Sequence, residues 1–524
     1  MKRSALPNYD HVIERYGALI LAVVVYLSFF FNIGSVALFD LDEGAFSEAT
    51  REMLSSGNFI TTYLGGELRF DKPILIYWLQ AASVKLFGLN EFALRLPSAL
   101  AATAWALLLY LFTKRIYNAK TAFIAALFMV SALQISVIAK AAIADALLNL
   151  WIAASMFAIL LYIKSDEKRW LYAAFAAIGF GMLTKGPVAV MIPVAVTFLF
   201  FAIKRDLKRW ARALFNPVGI LIFLAVALPW YWLEYADQGM KFIEGFFLKH
   251  NLSRFETSFE GHSGSVFYYL PVLLVGVMPF TGVMMVALWR IKELLKEDTT
   301  LFLLLWFGFV FLFFSFSGTK LPHYVIYGYT PLFIMMALQF DRVRSSLWIV
   351  LPPAVLMLLL LFLPEIAHAV LPSVKDAYAK ALIEESGALF GWRYKMEIAL
   401  LLAALAVAWK MIEGNLSKAV VTAVVTLLLV NGTILPTYAA LAQQPIKEAA
   451  LFAKKHRLDV VMWGINVPSF MVYSEKIVPR RNPKPGEIVL TKITKLKDVA
   501  SYQPIFKKYG IVLVRIDSMK KGKE

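Results

Sequence analysis

Cysteine is absent from the 524-residue chain, which excludes a disulfide framework, an iron–sulfur cluster and any thiolate zinc site, while leaving the redox compartment open. Charge is scarce too. Asp, Glu, Lys and Arg make up 17% of the residues and apolar types 60%, whereas a soluble globular chain carries about 25% and 45–50%. A soluble enzyme is therefore excluded. The net charge of +17 invites a nucleic-acid reading, but cytoplasmic loops of membrane proteins also collect Lys and Arg. No nucleic-acid partner is expected once the positions of the cations are read.

Apolar runs of about 17–25 residues can cross a bilayer core. Reading for them gives thirteen expected spans, near 17–38, 96–112, 121–139, 144–163, 171–184, 187–203, 215–233, 266–288, 301–316, 322–339, 346–363, 397–409 and 419–436. The fifth and sixth are short enough to be one broken hairpin. The first run is too long for a signal-peptide core and reads as an anchor. Alternating the spans from a cytoplasmic N-terminus puts Lys114, Arg115 and Lys120, then Lys164, Lys168 and Arg169, then Lys204, Arg205, Lys208, Arg209 and Arg212 on the inner side. Arg290, Lys292, Lys296, Arg342, Arg344, Lys410 and Lys418 follow on that side, while the short outer loops hold only Lys140, Lys185 and Lys320. The predicted protein is a polytopic α-helical membrane protein with its C-terminus outside.

Three longer stretches, 39–95, 234–265 and 364–396, belong to the outer face of a membrane domain spanning 1–436. Residues 437–524 differ in kind, with β-like runs at Val460–Trp463, Ser469–Tyr473, Ile488–Thr491 and Ile511–Ile516 and a helical stretch at Ile446–His456. They read as a small α/β domain. Its 17 Lys and Arg against 7 Asp and Glu suit a solvated domain near anionic lipid headgroups, or one that helps hold an anionic acceptor.

Polar residues cluster most densely in 39–95. Phe46, Thr50, Met53 and Leu54 recur at helical spacing, so an amphipathic helix is expected just after Asp42, which could be its N-cap. A second follows Phe70-Asp71-Lys72-Pro73, with Pro73 at the first helical position and Gly88 as the stop; Asp71 has the same capping role open to it. Taken together those capping roles are less persuasive. Asp40, Asp42, Glu43, Asp71, Lys72, Asp145, Lys185 and Lys320 all emerge on one side, and the 234–265 loop adds His250, Arg254 and His262. Ionisable groups at span ends are costly unless paired or functional, which favours a shared polar cavity.

These pieces carry a resemblance. Asp42-Glu43 with Ala49-Thr50-Arg51-Glu52-Met53, Phe70-Asp71-Lys72-Pro73, Asp145, Leu183-Thr184-Lys185-Gly186-Pro187, His250-Asn251-Leu252-Ser253-Arg254-Phe255, Gly261-His262, Tyr268-Tyr269-Leu270-Pro271 and Lys320-Leu321-Pro322-His323-Tyr324 stand in order. The chain resembles the bacterial aminoarabinose-transferase-like branch of the protein O-mannosyltransferase superfamily, and Pro468-Ser469-Phe470 in the tail fits that branch as well. Two departures stand out: Asp42-Glu43-Gly44-Ala45 lacks the arginine of the family's Asp-Glu-x-Arg, and Arg69 and Asp71 stand where tyrosine and glutamate are usual.

The resemblance implies a GT-C glycosyltransferase of the bacterial inner membrane. Its donor would be a sugar on polyprenyl (undecaprenyl) phosphate, and its acceptor a periplasmic one, lipid A or another envelope glycan. The leaving phosphate gains negative charge, so fixed cations lower the barrier. Lys72 and Arg254 are first choices, with Lys185, Lys320 and the Tyr324 hydroxyl in support. An attacking hydroxyl needs a carboxylate base, for which Asp42 is the candidate, with Asp145 positioning the sugar or the base; Glu43 and His262 are further substrate-binding candidates. A phosphate acceptor would need no base. Asp71 and His250 could ligate a divalent metal ion, or Asp71 could simply pair with a neighbouring His or Lys. A protein O-glycosyltransferase acting on Ser or Thr is the alternative within the enzyme class, and a lipid transporter or flippase the alternative outside it, although no paired broken helices mark an internal repeat. Membrane lipids are expected neighbours, and a monomer is the expected state.

Orientation is open to a direct test, because the chain has no cysteine of its own. In intact spheroplasts a membrane-impermeant thiol reagent should label Ser501→Cys and spare Ser165→Cys. The reverse pattern would invert the topology.

Overall fold

The computed structural model describes residues 9–252 and 264–520. Helices dominate. Among the described residues five are long and apolar enough to cross a membrane, Glu91–Ile116, Asp145–Ser165, Pro217–Gln238, Asp298–Phe316 and Asn415–Ala442, or seven if each of two bent pairs is one span. One bent pair is Ala119–Ser131 with Leu133–Ala139, at 69°, where a single span was expected over 121–139. The second is Leu347–Leu361 with Leu363–Ser373, at 49°. The expected span at 266–288 is likewise divided, into Tyr269–Gly276 and Thr281–Trp289, with Pro279 in the break. The fifth and sixth runs form separate helices, Lys168–Lys185 and Val188–Ile203.

On the 39–95 segment a helix runs over Asp42–Ser56, ending at Gly57. A hairpin of strands β1 (Tyr63–Leu64) and β2 (Glu67–Leu68) follows. Its Gly65-Gly66 turn has φ of 66° and 81°, which suits a two-residue hairpin turn that only glycine enters without strain. Glu52 fixes it by accepting the Gly65 and Gly66 N–H groups at 2.6 and 3.0 Å. The second helix is Leu75–Phe87, two residues later than Pro73 suggests, and it stops at Gly88 as expected.

The tail holds a four-stranded sheet in the order β3-β4-β6-β5, where β3 is Val460–Met462, β4 Ile488–Lys492, β5 Val499–Lys508 and β6 Ile511–Met519. β3 and β4 are parallel and the other pairs antiparallel. The helix Gln444–Lys455 packs Ile446, Ala449 and Ala453 against Met462, Leu490 and Leu513. Two expectations need correction. Ser469–Tyr473 is a helix, Ser469–Ser474, not a strand: Pro468 sets its first turn, and Phe470, Met471 and Val472 are all buried, so the β-branched and aromatic run carries no alternation. β5 escaped the sequence reading because it is an exposed edge strand containing Pro504.

The membrane helices are joined to the 39–95 segment by a buried ion pair. Arg95 donates to both Glu43 carboxylate oxygens at 2.8 Å and to the carbonyls of Ile33, Val36 and Ala37 at 2.8–3.0 Å. Glu43 also accepts the Phe39 and Ala142 N–H groups at 2.8 and 2.7 Å. Removing one partner of such a pair leaves an uncompensated charge, at a cost of about 3–5 kcal/mol. Arg95→Ala should therefore lower the thermal midpoint of the detergent-solubilised protein sharply, and adding Glu43→Gln should recover part of the loss. An unchanged midpoint in Arg95→Ala would contradict this role.

Candidate active site

A cavity of about 760 Å³ opens where these segments meet, and its wall includes Asp42, Arg69, Asp71, Lys72, Asp145, Lys185, His323 and Tyr324. Six of the sequence candidates, Asp42, Asp71, Lys72, Asp145, Lys185 and Tyr324, thus share one space. Asp42 is exposed on the first turn of its helix and makes no capping hydrogen bond there. Asp71 precedes the second helix by several residues and does not cap it either. The bland reading of both acids is therefore not realised.

Asp145 and Lys185 meet because of helix length. The helices Asp145–Ser165 and Lys168–Lys185 pack as an antiparallel hairpin turning at Asp166 and Glu167, so the first residue of one faces the last of the other. Lys185 Nζ lies 2.7 Å from Asp145 Oδ1. The Tyr327 hydroxyl donates to the same oxygen at 2.7 Å and accepts from Lys185 at 2.8 Å. His323 Nε2 stands 3.9 Å from Asp145, and the Lys185 ammonium is 5.6 Å from the centre of the Tyr324 ring.

Across the cavity, Asp71 bridges two cations, Lys72 at 2.9 Å and Arg69 at 3.2 Å. The Arg69 guanidinium lies 5.6 Å from the centre of the Phe46 ring. Each oxygen of Asp71 faces a cation. Among the described residues no three His, Asp or Glu side chains come together as metal ligands. His250, Arg254 and His262 have side chains outside the described residues.

Two other candidates lie elsewhere. Glu43 is buried in its pair with Arg95 and faces away from the cavity. Lys320 is also buried and donates to the Ser317 carbonyl at 2.6 Å. The sequence reading did not single out Tyr327, Asn466 or Arg480 as site residues, and it noted Arg69 only as a departure. Tyr327 was within reach, three residues after Tyr324. Asn466, Pro468 and Arg480 line the cavity from the tail; Pro468 belongs to the Pro468-Ser469-Phe470 piece of the resemblance, whereas nothing in the local sequence of Asn466 or Arg480 signals contact with residues some 400 positions earlier.

The tail is seated on Asp40, which accepts the Ser469 N–H at 3.0 Å and bonds the Ser469 hydroxyl. Gly44 makes room for this, since a Cβ there would stand 2.0 Å from Asp40 Oδ1 and 2.6 Å from Ser469 N. Burial pushes the Asp40 carboxyl up to about 7, against the opposing hydrogen bonds from Ser469. A carboxyl raised in the folded state favours folding most below its unfolded value near 4, and that contribution fades as pH rises through about 7. Hydrogen exchange of residues 469–474 should accelerate between about pH 4 and 7 beyond the intrinsic rate, and Asp40→Asn should remove the excess. An unaltered profile in Asp40→Asn would refute this linkage.

Residues 71–232 match the family model described as dolichyl-phosphate-mannose-protein mannosyltransferase. An undecaprenyl phosphate-alpha-4-amino-4-deoxy-L-arabinose arabinosyl transferase of Proteus mirabilis is 32% identical over 333 residues, 62% of this chain and 59% of that protein. The Yersinia enterocolitica protein of that name is 32% identical over 329 residues, 61% of this chain and 58% of its own length. The aligned region thus spans about three fifths of these curated relatives. In structure, ArnT from Cupriavidus metallidurans bound to undecaprenyl phosphate aligns with a TM-score of 0.77 over 97% of this chain and 98% of that one, at 21% identity. An Archaeoglobus fulgidus oligosaccharyltransferase aligns at 0.53 over 94% of this chain and 70% of its own, with 13% identity. The resemblance read from the ordered motifs is borne out: this multi-pass membrane chain is similar to the aminoarabinose transferases in sequence and has their GT-C fold.

Proposed function

We propose that the chain is an inner-membrane glycosyltransferase that moves a sugar from a polyprenyl phosphate, undecaprenyl phosphate in bacteria, to an acceptor in the outer leaflet, lipid A or another envelope glycan. The observation that carries this reading is the single cavity in which Lys72 and Lys185 stand among Asp42, Asp71 and Asp145. The names of the relatives support the donor class.

In this mechanism the acceptor oxygen attacks the anomeric carbon, the bond from that carbon to the phosphate oxygen breaks, and the polyprenyl phosphate leaves with the electron pair. Cations already held in place meet the growing charge without reorganising. Lys72 is oriented by Asp71, and Lys185 by Asp145 and Tyr327. Asp42, exposed on the cavity wall, takes the proton of an attacking hydroxyl; Asp145, paired and buried, is better suited to positioning. Arg254 keeps its assignment to the donor phosphate and His262 its assignment to substrate binding. In the architecture that accompanies this reading, about thirteen spans carry a periplasmic tail domain over 437–524, with the N-terminus in the cytoplasm.

Lys72→Ala should lower turnover of a polyprenyl-phosphate sugar about a hundredfold, equivalent to roughly 3 kcal/mol of transition-state stabilisation, without altering the melting profile. Asp42→Asn separates acceptor classes. It should nearly abolish transfer to a hydroxyl while donor binding survives, and cost much less if the acceptor is a phosphate. Near-normal turnover in Lys72→Ala would overturn its role. Transfer to Ser or Thr of a periplasmic protein, found by mass spectrometry, would replace the glycan acceptor with a protein.

A further inference from the structure

One side of the cavity is built from chain that is not regular α-helix. Between the helices Asp298–Phe316 and Tyr329–Leu338 the backbone runs through residues 317–321 and a 3-10 stretch, Pro322–Gly328. Leu321, His323 and Tyr324 line the cavity from this segment, and the Tyr327 hydroxyl holds Asp145. Backbone of this kind, set among apolar helices, needs its polar groups met by neighbours and takes its shape from them. Four side chains meet its carbonyls. Lys320 donates to Ser317 at 2.6 Å, the Tyr269 hydroxyl to Leu321 at 3.0 Å, Gln134 Nε2 to Pro322 at 2.6 Å and Trp306 Nε1 to Tyr327 at 2.8 Å.

Two of these bonds fall on consecutive carbonyls, those of Leu321 and Pro322, immediately ahead of His323 and Tyr324. Their donors come from the two interrupted spans. Gln134 is the second residue of the helix Leu133–Ala139, just past the bend at Ala132. Tyr269 opens the helix Tyr269–Gly276, ahead of the break at Pro279. The breaks touch each other, since the Leu133 N–H donates to the Met278 carbonyl at 2.8 Å. Gln134 is itself held: the Tyr329 hydroxyl donates to its Oε1 at 2.8 Å. Gly276 leaves room for that amide, because a Cβ there would stand 2.4 Å from Gln134 Oε1 and 2.6 Å from the Tyr329 hydroxyl. Gln134 and Tyr269 are buried, and neither lines the cavity.

We propose that Gln134 is a positioning residue for the transfer reaction: with Tyr269 it fixes the Leu321-Pro322 backbone, and through it the places of His323 and Tyr324 beside Asp145 and Lys185. The inference rests on the transferase reading of the cavity. An amide suits this position because one uncharged tip carries both a donor for the Pro322 carbonyl and an acceptor for Tyr329. An ionised carboxylate could not donate, and an apolar side chain would leave the carbonyl without this partner. Groups that meet a reacting phosphate act only if held to within a fraction of an ångström, and that precision comes from the residues behind them. The Tyr268-Tyr269-Leu270-Pro271 piece, none of which lines the cavity, thereby acquires a task in the reaction.

A double-mutant cycle on the full chain in detergent tests this, with turnover of a polyprenyl-phosphate sugar, binding of undecaprenyl phosphate and the thermal midpoint measured on each variant. Gln134→Met, which keeps the length of the side chain and removes its amide, should lower kcat about tenfold or more. Made in a Tyr324→Phe background, it should cost less than about threefold, because the hydroxyl it positions is already gone. Tyr269→Phe should lower kcat in the same way, and Gly276→Ala, which displaces the Gln134 amide without removing it, should do so by a smaller factor. Unchanged turnover in a folded Gln134→Met overturns the proposal. So does an equal loss with and without the Tyr324 hydroxyl, which would mark a general structural defect. If Gln134→Met does not fold, Tyr269→Phe and Gly276→Ala decide the matter, and normal turnover in both overturns it. A wild type that neither binds undecaprenyl phosphate nor turns over a donor would instead remove the transferase reading, and this inference with it.

Discussion

A carboxylate shut away from water must have its oxygens fully met by donors, and Glu43 satisfies that condition with groups from three parts of the chain. Arg95 comes from a membrane helix, the Phe39 amide from the segment that leads into the helix Asp42–Ser56, and the Ala142 amide from the loop leading to Asp145. The neighbouring residue in sequence, Asp42, is thereby turned outward into the cavity. Two acids that look equivalent on paper take opposite roles because one helical step separates their faces. Asp42 and Asp145, from separate segments, are both registered against the same buried ion pair.

The cavity balances its charges in local sets. Asp71 sits between Arg69 and Lys72, and Asp145 between Lys185 and Tyr327. Cations in such sets keep their orientation without a ligand, so in the proposed reaction a donor phosphate would meet a field already aligned, which is the condition under which fixed charge lowers a barrier most. The cost is that every acid at a membrane surface must bring its own partner, and the alternation of signs along the wall follows from that requirement.

Much of this was legible in the chain itself. That Asp42, Lys72, Asp145 and Lys185 emerge on one side followed from alternating apolar runs and basic loops, since distance along a span fixes the side on which its ends emerge. The stop at Gly88 and three of the four tail strands were readable from pattern. The fates of Glu43 and Lys320 were not, because whether a charge faces a cavity or a buried partner depends on residues such as Arg95, 52 positions away. Helix breaks near Ala132 and Pro279 were hidden for a related reason: an apolar run looks the same whether its backbone is straight or bent. Asn466 and Arg480 had no local signature at all.

The seat of Ser469 on Asp40 joins positions 429 residues apart, and it bears on how the molecule is made. Chains emerge from the ribosome N-terminus first, so the helices carrying Asp42, Lys72, Asp145 and Lys185 are in existence long before the wall formed by Asn466, Pro468 and Arg480. The cavity gains its wall from Asn466, Pro468 and Arg480 only when that segment docks, so its assembly waits on residues made some 400 positions after Asp42.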